Sequence, residues 1–211
     1  MAPGKFITFE GGEGAGKSTQ VKLLADALSH SGVSVCLTRE PGGTPGGEEI
    51  RGLLVRGAAA RWDAMTEALL HFAARREHLR SLIHPQLAAG TWVISDRFAD
   101  STMAYQGYGH QLGREPIEAL YALVVGDFHP DLTLILDVPV DVGLQRAAAR
   151  RDGETRYEDL GQTFHERLHT GFHEIARREP KRCKVIDASG SIDDVHARVR
   201  AAVTQSLGVA L

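Results

Sequence analysis

The sequence predicts an α/β fold, a parallel sheet covered by helices on both faces, and three observations carry that prediction. Short β-prone runs alternate with helical patterns through all 211 residues. The first strand ends on a glycine-rich stretch that leads directly into a helix. No repeat or low-complexity linker interrupts the alternation, and the length suits one domain, residues 1–211.

The first strand is Phe6-Ile7-Thr8-Phe9, and a helix starts at Lys17 with apolar Val21, Leu24, Ala25 and Leu28 on one face. Between them, Gly11 to Ser18 reads GGEGAGKS, a match to GxxxxGK[ST]. In such a loop the glycines let consecutive backbone N–H groups turn toward phosphate oxygens, and the helix N-terminus adds partial positive charge. Lys17 then reaches the β- and γ-phosphates and the Ser18 hydroxyl meets Mg²⁺. The expected ATP-binding set is Gly11, Gly12, Glu13, Gly14, Ala15, Gly16, Lys17, Ser18 and Thr19.

A second strand over residues 33–38 delivers Arg39 and Glu40 to its C-terminal end, where open α/β sheets place ligands, and Pro41 with two glycines makes a turn. A short helix carries Ile50, Arg51, Leu53 and Leu54, followed by an irregular stretch over residues 55–61. A long helix over residues 63–89 has an apolar stripe of Leu69, Phe72, Leu79 and Ile83, beside a polar face of Glu67, His71, Arg75 and His78. The third strand, residues 91–95, ends on Asp96-Arg97-Phe98, so a carboxylate and a guanidinium stand where metal and phosphate would lie.

Residues 100–107 form a helix bearing a hydroxyl, an aromatic and an amide, and a glycine-bearing loop runs over residues 107–113. A helix over residues 116–126, a fourth strand over 132–137 and a helix over 140–150 follow. Residues 150–158 have no apolar periodicity, and their arginines suit a loop that closes over phosphates. A long helix, a fifth strand over residues 183–187 and a final helix over 192–207 complete the chain.

Composition narrows the function. With 24 basic against 27 acidic residues, the net charge of −3 argues against nucleic acid and the membrane surface as partners. Cys36 and Cys183 lie in strand-like runs as small hydrophobes, and neither a signal peptide nor a membrane span is legible, so a reduced cytoplasmic protein is expected. The chain contains no Asn, which removes the NKxD base-reading motif of a GTPase switch, and Asp96 is not followed by a DxxG pattern. An ATPase motor would carry a second carboxylate beside Asp96 to activate water, but Arg97 stands there. Arginine beside the reaction indicates a small-molecule kinase that excludes water.

The stretches FEGGEGAGKSTQ (residues 9–20), TREPGGT (38–44), FAARREHL (72–79), SDRF (95–98), STMAYQG (101–107) and PDLTLILDV (130–138) together resemble bacterial thymidylate kinases over nearly the whole chain. The resemblance implies a three-layer P-loop NTPase fold with a five-stranded parallel sheet and a short arginine-bearing lid near residues 146–158. It implies transfer of the γ-phosphoryl group of ATP to dTMP, with Mg²⁺, in a homodimer.

Residue by residue, it implies that Glu13 meets the sugar 3′-hydroxyl and that Arg39, Arg51 and Arg97 grip the dTMP phosphate. Arg75 and Gln106 would bond thymine with Thr102 close by, and Tyr105 would leave no room for a 2′-hydroxyl. Ser18 and Asp96 would hold the metal. The P-loop carries no arginine, so the lid would supply one, with Arg156 the best match and Arg150 and Arg151 in reserve; Lys17, Arg97 and Arg156 would be catalytic. One turn before Arg75, where the family commonly stacks an aromatic on the base, this chain has His71, with Phe72 one residue along; either His71 stacks on the base or a small helix rotation presents Phe72, and Phe72 is the expected one of the two.

Overall fold

A computed structural model describes residues 3–58, 61–149, 157 and 160–211. Its strands are β1 (Phe6–Glu10), β2 (Val35–Arg39), β3 (Trp92–Asp96), β4 (Leu132–Asp137) and β5 (Cys183–Asp187). They form one five-stranded sheet in the order β2-β3-β1-β4-β5, and every pairing is parallel. β1 is central, and all its residues are buried. The C-terminal ends of β1, β2 and β3 therefore lie side by side, and the loops that leave them share one edge of the sheet.

The helices are α1 (Lys17–His30), α2 (Pro45–Val55), α3 (Ala64–His78), α4 (His84–Ala88), α5 (Ala99–Thr102), α6 (Arg114–Val124), α7 (Val140–Ala148), α8 (Gln162–Arg178) and α9 (Ile192–Leu207). α1 and α9 cover one face, where Leu24, Leu28 and Val199 pack on Ile7, Phe9 and Leu134. On the other face Phe72 of α3, Ile117 of α6 and Leu168 and Phe172 of α8 surround Ile135. Odd and even residues of one strand thus feed different cores, which is why β4 carries apolar side chains on both sides.

The expected elements are present with shifted boundaries. β2 begins at Val35, two residues after the expected start, and extends to Arg39. The long helix is α3, a π turn at Leu79–Ile83 and α4. Pro85 lies in the first turn of α4; its ring nitrogen has no hydrogen to donate, so the wider turn before it absorbs the break in the helical ladder. α5 likewise continues through a π turn at Met103–Gly109, so the expected loop starts after Gly109.

The faces of α3 are also reassigned. Leu69, expected in the core, is 50% exposed, whereas Glu67, Arg75 and His78 on the polar face are almost fully buried. Helical periodicity cannot tell a solvated polar stripe from one that packs on other polar groups, and here that stripe faces β2 and α5. Among the described residues no helix is long and apolar enough to cross a membrane.

Candidate active site

The loop between β1 and α1 closes tightly because three glycines adopt backbone angles that L side chains rarely take; Gly14 also lies so close to Gly143 that a Cβ would fall 1.9 Å from that carbonyl oxygen. Gly16 caps α1 in the left-handed region and its carbonyl accepts from Thr19 and Gln20 amides at 3.2 and 3.1 Å. Residues 13–18 line a cavity of about 270 Å³. Gly11 and Gly12 border a smaller one behind the loop, and Thr19 lies within the first turn.

Lys17 folds back over its own loop and donates to the Gly11 and Gly12 carbonyls at 3.1 and 2.8 Å. Burial, joined by the Arg97 cation, pulls its ammonium down to about 8 against the opposing pull of Glu13, Asp96 and Glu10. Ser18 Oγ donates to Asp96 Oδ2 at 2.7 Å, so the two expected metal-holding groups meet between the first turn of α1 and the end of β3. Hydroxyl and carboxylate are hard oxygen donors, which suits Mg²⁺.

Arg97 is held in an unusual conformation directly after β3. Its φ of 73° is costly for a residue with a Cβ, while its amide bonds the Phe9 carbonyl at 2.9 Å. This turns the guanidinium back over the P-loop, where it donates to Glu13 Oε1 (3.0 Å), the Gly11 carbonyl (3.1 Å) and Ser101 Oγ (3.1 Å). Tyr105 completes the cluster with its hydroxyl donating to Glu13 Oε1 at 2.6 Å and its ring 4.9 Å from the guanidinium. Burial would raise the Glu13 carboxyl, but Arg97, then Lys17 and the Tyr105 hydroxyl, outweigh it and hold it at about 2. Beneath them Glu10 accepts from the Phe98 amide at 2.8 Å and from Ser101 Oγ; burial and the neighbouring Asp100 push its carboxyl up.

Arg39 and Arg51 reach the cavity from β2 and α2. Arg39 pairs with Glu48 at 3.0 Å and Arg51 donates to the Pro41 carbonyl at 2.9 Å, both anchored beside the turn that follows the cis Glu40-Pro41 bond. The cavity wall beyond them is lined by Thr102, Gln106, His71 and Tyr157.

Behind that wall lies a buried polar network. Glu40 accepts from Arg75 Nε at 2.8 Å and from His78 Nδ1 at 2.9 Å, and His78 Nε2 is 2.6 Å from Thr38 Oγ1. Arg75 Nη2 donates to Thr102 Oγ1 at 3.0 Å, and Arg75 Nη1 is buried with no partner among the described residues. Gln106 Nε2 donates to Glu67 Oε2 at 3.0 Å, and Gln106 Oε1 is likewise buried without a partner among the described residues. Because a carboxylate only accepts, Glu67 fixes which end of the Gln106 amide points away from it.

Two residues expected at the base, Arg75 and Phe72, are not part of the cavity lining, and of the two stacking candidates the open side carries His71. Phe72 does not line the cavity: it is 1% exposed, packed with Ala68, Met103 and Phe172, and its ring lies 4.7 Å from the Arg75 guanidinium. His71 faces the cavity instead, with Nε2 at 3.2 Å from the Tyr157 hydroxyl. The rotation of α3 is set by burying Ala68 and Phe72 together, which leaves the neighbouring residue on the open side. Arg156, Arg150 and Arg151 lie outside the described residues. Sequence reasoning missed the roles of Glu40, Glu67, His78 and Ser101 as the groups that hold Arg75, Gln106 and Arg97. The polar stripe on α3 was the available signal for two of them.

Comparison with known proteins bears on the family and the fold. The thymidylate kinase family model matches residues 9–199. The thymidylate kinase of Caulobacter vibrioides is 57% identical over 99% of this chain and 100% of its own length, and that of a Bradyrhizobium species is 51% identical over 99% and 93%. The crystal structure of thymidylate kinase from Ehrlichia chaffeensis superposes with a TM-score of 0.77 at 41% identity, covering 93% of this chain and 97% of that one. With the P-loop, the Glu13–Arg97–Tyr105 cluster and the full-length match in hand, the chain belongs to the thymidylate kinase family.

Proposed function

We infer that this chain is an ATP-dependent dTMP kinase that moves the γ-phosphoryl group of ATP to dTMP, giving dTDP and ADP. The observation that supports the reading is a pair of buried groups with no partner among the described residues, Arg75 Nη1 behind the cavity wall and Gln106 Oε1 of a residue that lines it. A free donor and a free acceptor would suit the O4 and N3–H edge of thymine, whereas cytosine presents the opposite pattern at both atoms. A buried donor and acceptor left facing their own kind discriminate far more strongly than shape does. Uracil keeps the edge and lacks only the methyl, worth ~1–3 kcal/mol in a fitted pocket, so dUMP is rejected modestly.

The phosphate end of the acceptor falls to Arg39, Arg51 and Arg97, and its sugar to Glu13 and Tyr105, whose shared hydrogen bond fills the space a ribose 2′-hydroxyl would need. A phosphate monoester has a second pKa near ~6, so dTMP arrives mostly dianionic and needs no strong base. One of its oxygens attacks the γ-phosphorus; the bond to the β-γ bridging oxygen breaks and the electron pair leaves on ADP. The obstacle is repulsion between two anions, met on this chain by Lys17, Arg97 and, from the lid, Arg156. Ser18 and Asp96 would hold Mg²⁺, which neutralises phosphate charge when bound.

The same reading treats residues 1–211 as one kinase domain with a lid near 146–158, acting in the cytoplasm as a homodimer. Leu69 on α3 and Leu123 on α6, 50% and 82% exposed, support the last point. The test is a panel of dTMP, dUMP, the ribonucleotide TMP and dCMP, read by ADP release: dTMP leads, dUMP follows, and the other two are poor. Equal turnover of dCMP and dTMP would refute the thymine assignment.

A further inference from the structure

On the other side of β1 from the Ser18–Asp96 pair, three further side chains converge that phosphoryl transfer does not use. Asp137 closes β4, and His169 and His173 stand one turn apart on α8, so both project from one helix face. Ile135 packs beneath Leu168 and Phe172 of α8, and strand alternation places Asp137 on that same side. The carboxylate is divided between the two rings: His169 Nε2 lies 2.8 Å from Oδ1 and His173 Nε2 lies 3.2 Å from Oδ2. The ring centroids are 4.6 Å apart, and the three donor atoms all fall within 4.8 Å of one another.

We propose that Asp137, His169 and His173 form a binding site for a first-row divalent transition cation, with Zn²⁺ as its representative. Two imidazole nitrogens and one carboxylate oxygen are the donor set of three-ligand zinc sites that keep a position for water. Ligands ~2.0–2.1 Å from a tetrahedral ion stand ~3.3 Å apart, close to the spacing already present between the carboxylate and the two imidazoles. The donors sit on a strand end and in the middle of a seventeen-residue helix, so the backbone is already in place. The three side chains are 31–41% exposed, so an ion enters without unfolding the chain.

Asp137 and His169 also border the cavity of about 30 Å³ behind Gly11, Gly12 and Glu13, which has room for the water of the open position. Imidazole donors select against Mg²⁺, which keeps oxygen ligands, so this centre and the Ser18–Asp96 pair do not compete for one ion. Occupancy ties α8 to the sheet directly beside the P-loop.

The test uses the untagged, chelator-treated chain without nucleotide, titrated with Zn²⁺ by calorimetry and with Co²⁺ by visible absorption. The expected result is one ion per chain at micromolar affinity or tighter, intensified Co²⁺ bands, and a Tm raised by about 5 °C or more at a hundredfold excess over Kd. His169→Gln and His173→Gln each weaken binding by roughly tenfold or more and abolish the Co²⁺ bands, while Mg²⁺-dependent kinase activity of the metal-free chain is retained. In the unsubstituted chain, Zn²⁺ shifts the ring-nitrogen resonances of these two histidines in nitrogen-15 NMR, a readout that requires no variant. Absence of stoichiometric binding, or binding that survives both substitutions, would overturn the site and leave a hydrogen-bonded His–Asp–His cluster.

Discussion

Removing the Glu40 carboxylate should destabilise the fold more than any exposed charge change, because of what it leaves behind. In the native state this carboxylate accepts from Arg75 and His78 at 2.8 and 2.9 Å, with side-chain exposures of 4%, 1% and 0%. Glu40→Ala leaves a buried guanidinium flanked by the Phe72 and Phe98 rings at 4.7 and 5.1 Å, with Thr102 as its remaining hydrogen-bond partner among the described residues. Breaking a buried pair from one side costs ~3–5 kcal/mol. At ~2–4 °C per kcal/mol for a chain of this size, Tm falls by ~6–20 °C.

Urea unfolding at neutral pH and scanning calorimetry measure the loss. The double variant Glu40→Met/Arg75→Leu removes both charges, and its stability should return to within ~1–2 kcal/mol of the parent. It should nevertheless raise the KM for dTMP, since the proposed donor to the base is gone. A cost below ~1 kcal/mol for Glu40→Ala would show that water or a rearrangement replaces the carboxylate. A double variant as unstable as the single would show that packing, rather than charge, is what Glu40 supplies.

Exchanging the neighbours His71 and Phe72 separates site from core: Phe72→Ala should cost ~3–5 kcal/mol of stability, while His71→Ala leaves Tm nearly unchanged and raises the KM for dTMP. The Glu13 carboxyl is held at about 2 in the folded chain against 4.5 for an unperturbed glutamate, so it binds fewer protons when folded; its stabilisation is complete above pH 4.5 and is lost as pH falls toward 2. Tm of the parent should therefore drop more steeply across that window than Tm of Glu13→Gln, and parallel curves would remove the Arg97–Glu13 pair as the cause. Arg156→Ala should lower kcat by ~10³ while changing dTMP affinity little, and an unchanged kcat would move the role to Arg150 or Arg151. Gly14→Ala should lower Tm and ATP affinity together, because its Cβ would collide with the Gly143 carbonyl oxygen at 1.9 Å and displace the loop.

Much of this architecture was legible in the sequence because local periodicity and glycine placement encode it. The order of strands and helices, the phosphate loop and the emergence of Arg39, Asp96 and Arg97 at strand ends follow from patterns a few residues long, and the structure keeps them. Which neighbours face each other was not legible. His71 rather than Phe72 opens on the cavity because the rotation of α3 is set by Ala68 and Phe72 packing on residues more than thirty positions away. Glu40 meets Arg75, and Asp137 meets His169 and His173, across separations of roughly that size, because parallel crossovers bring distant strand ends to one edge. Helical and strand patterns specify which residues share a face; only the packed sheet decides what that face meets, and so whether a polar stripe is solvated or becomes the wall of a site.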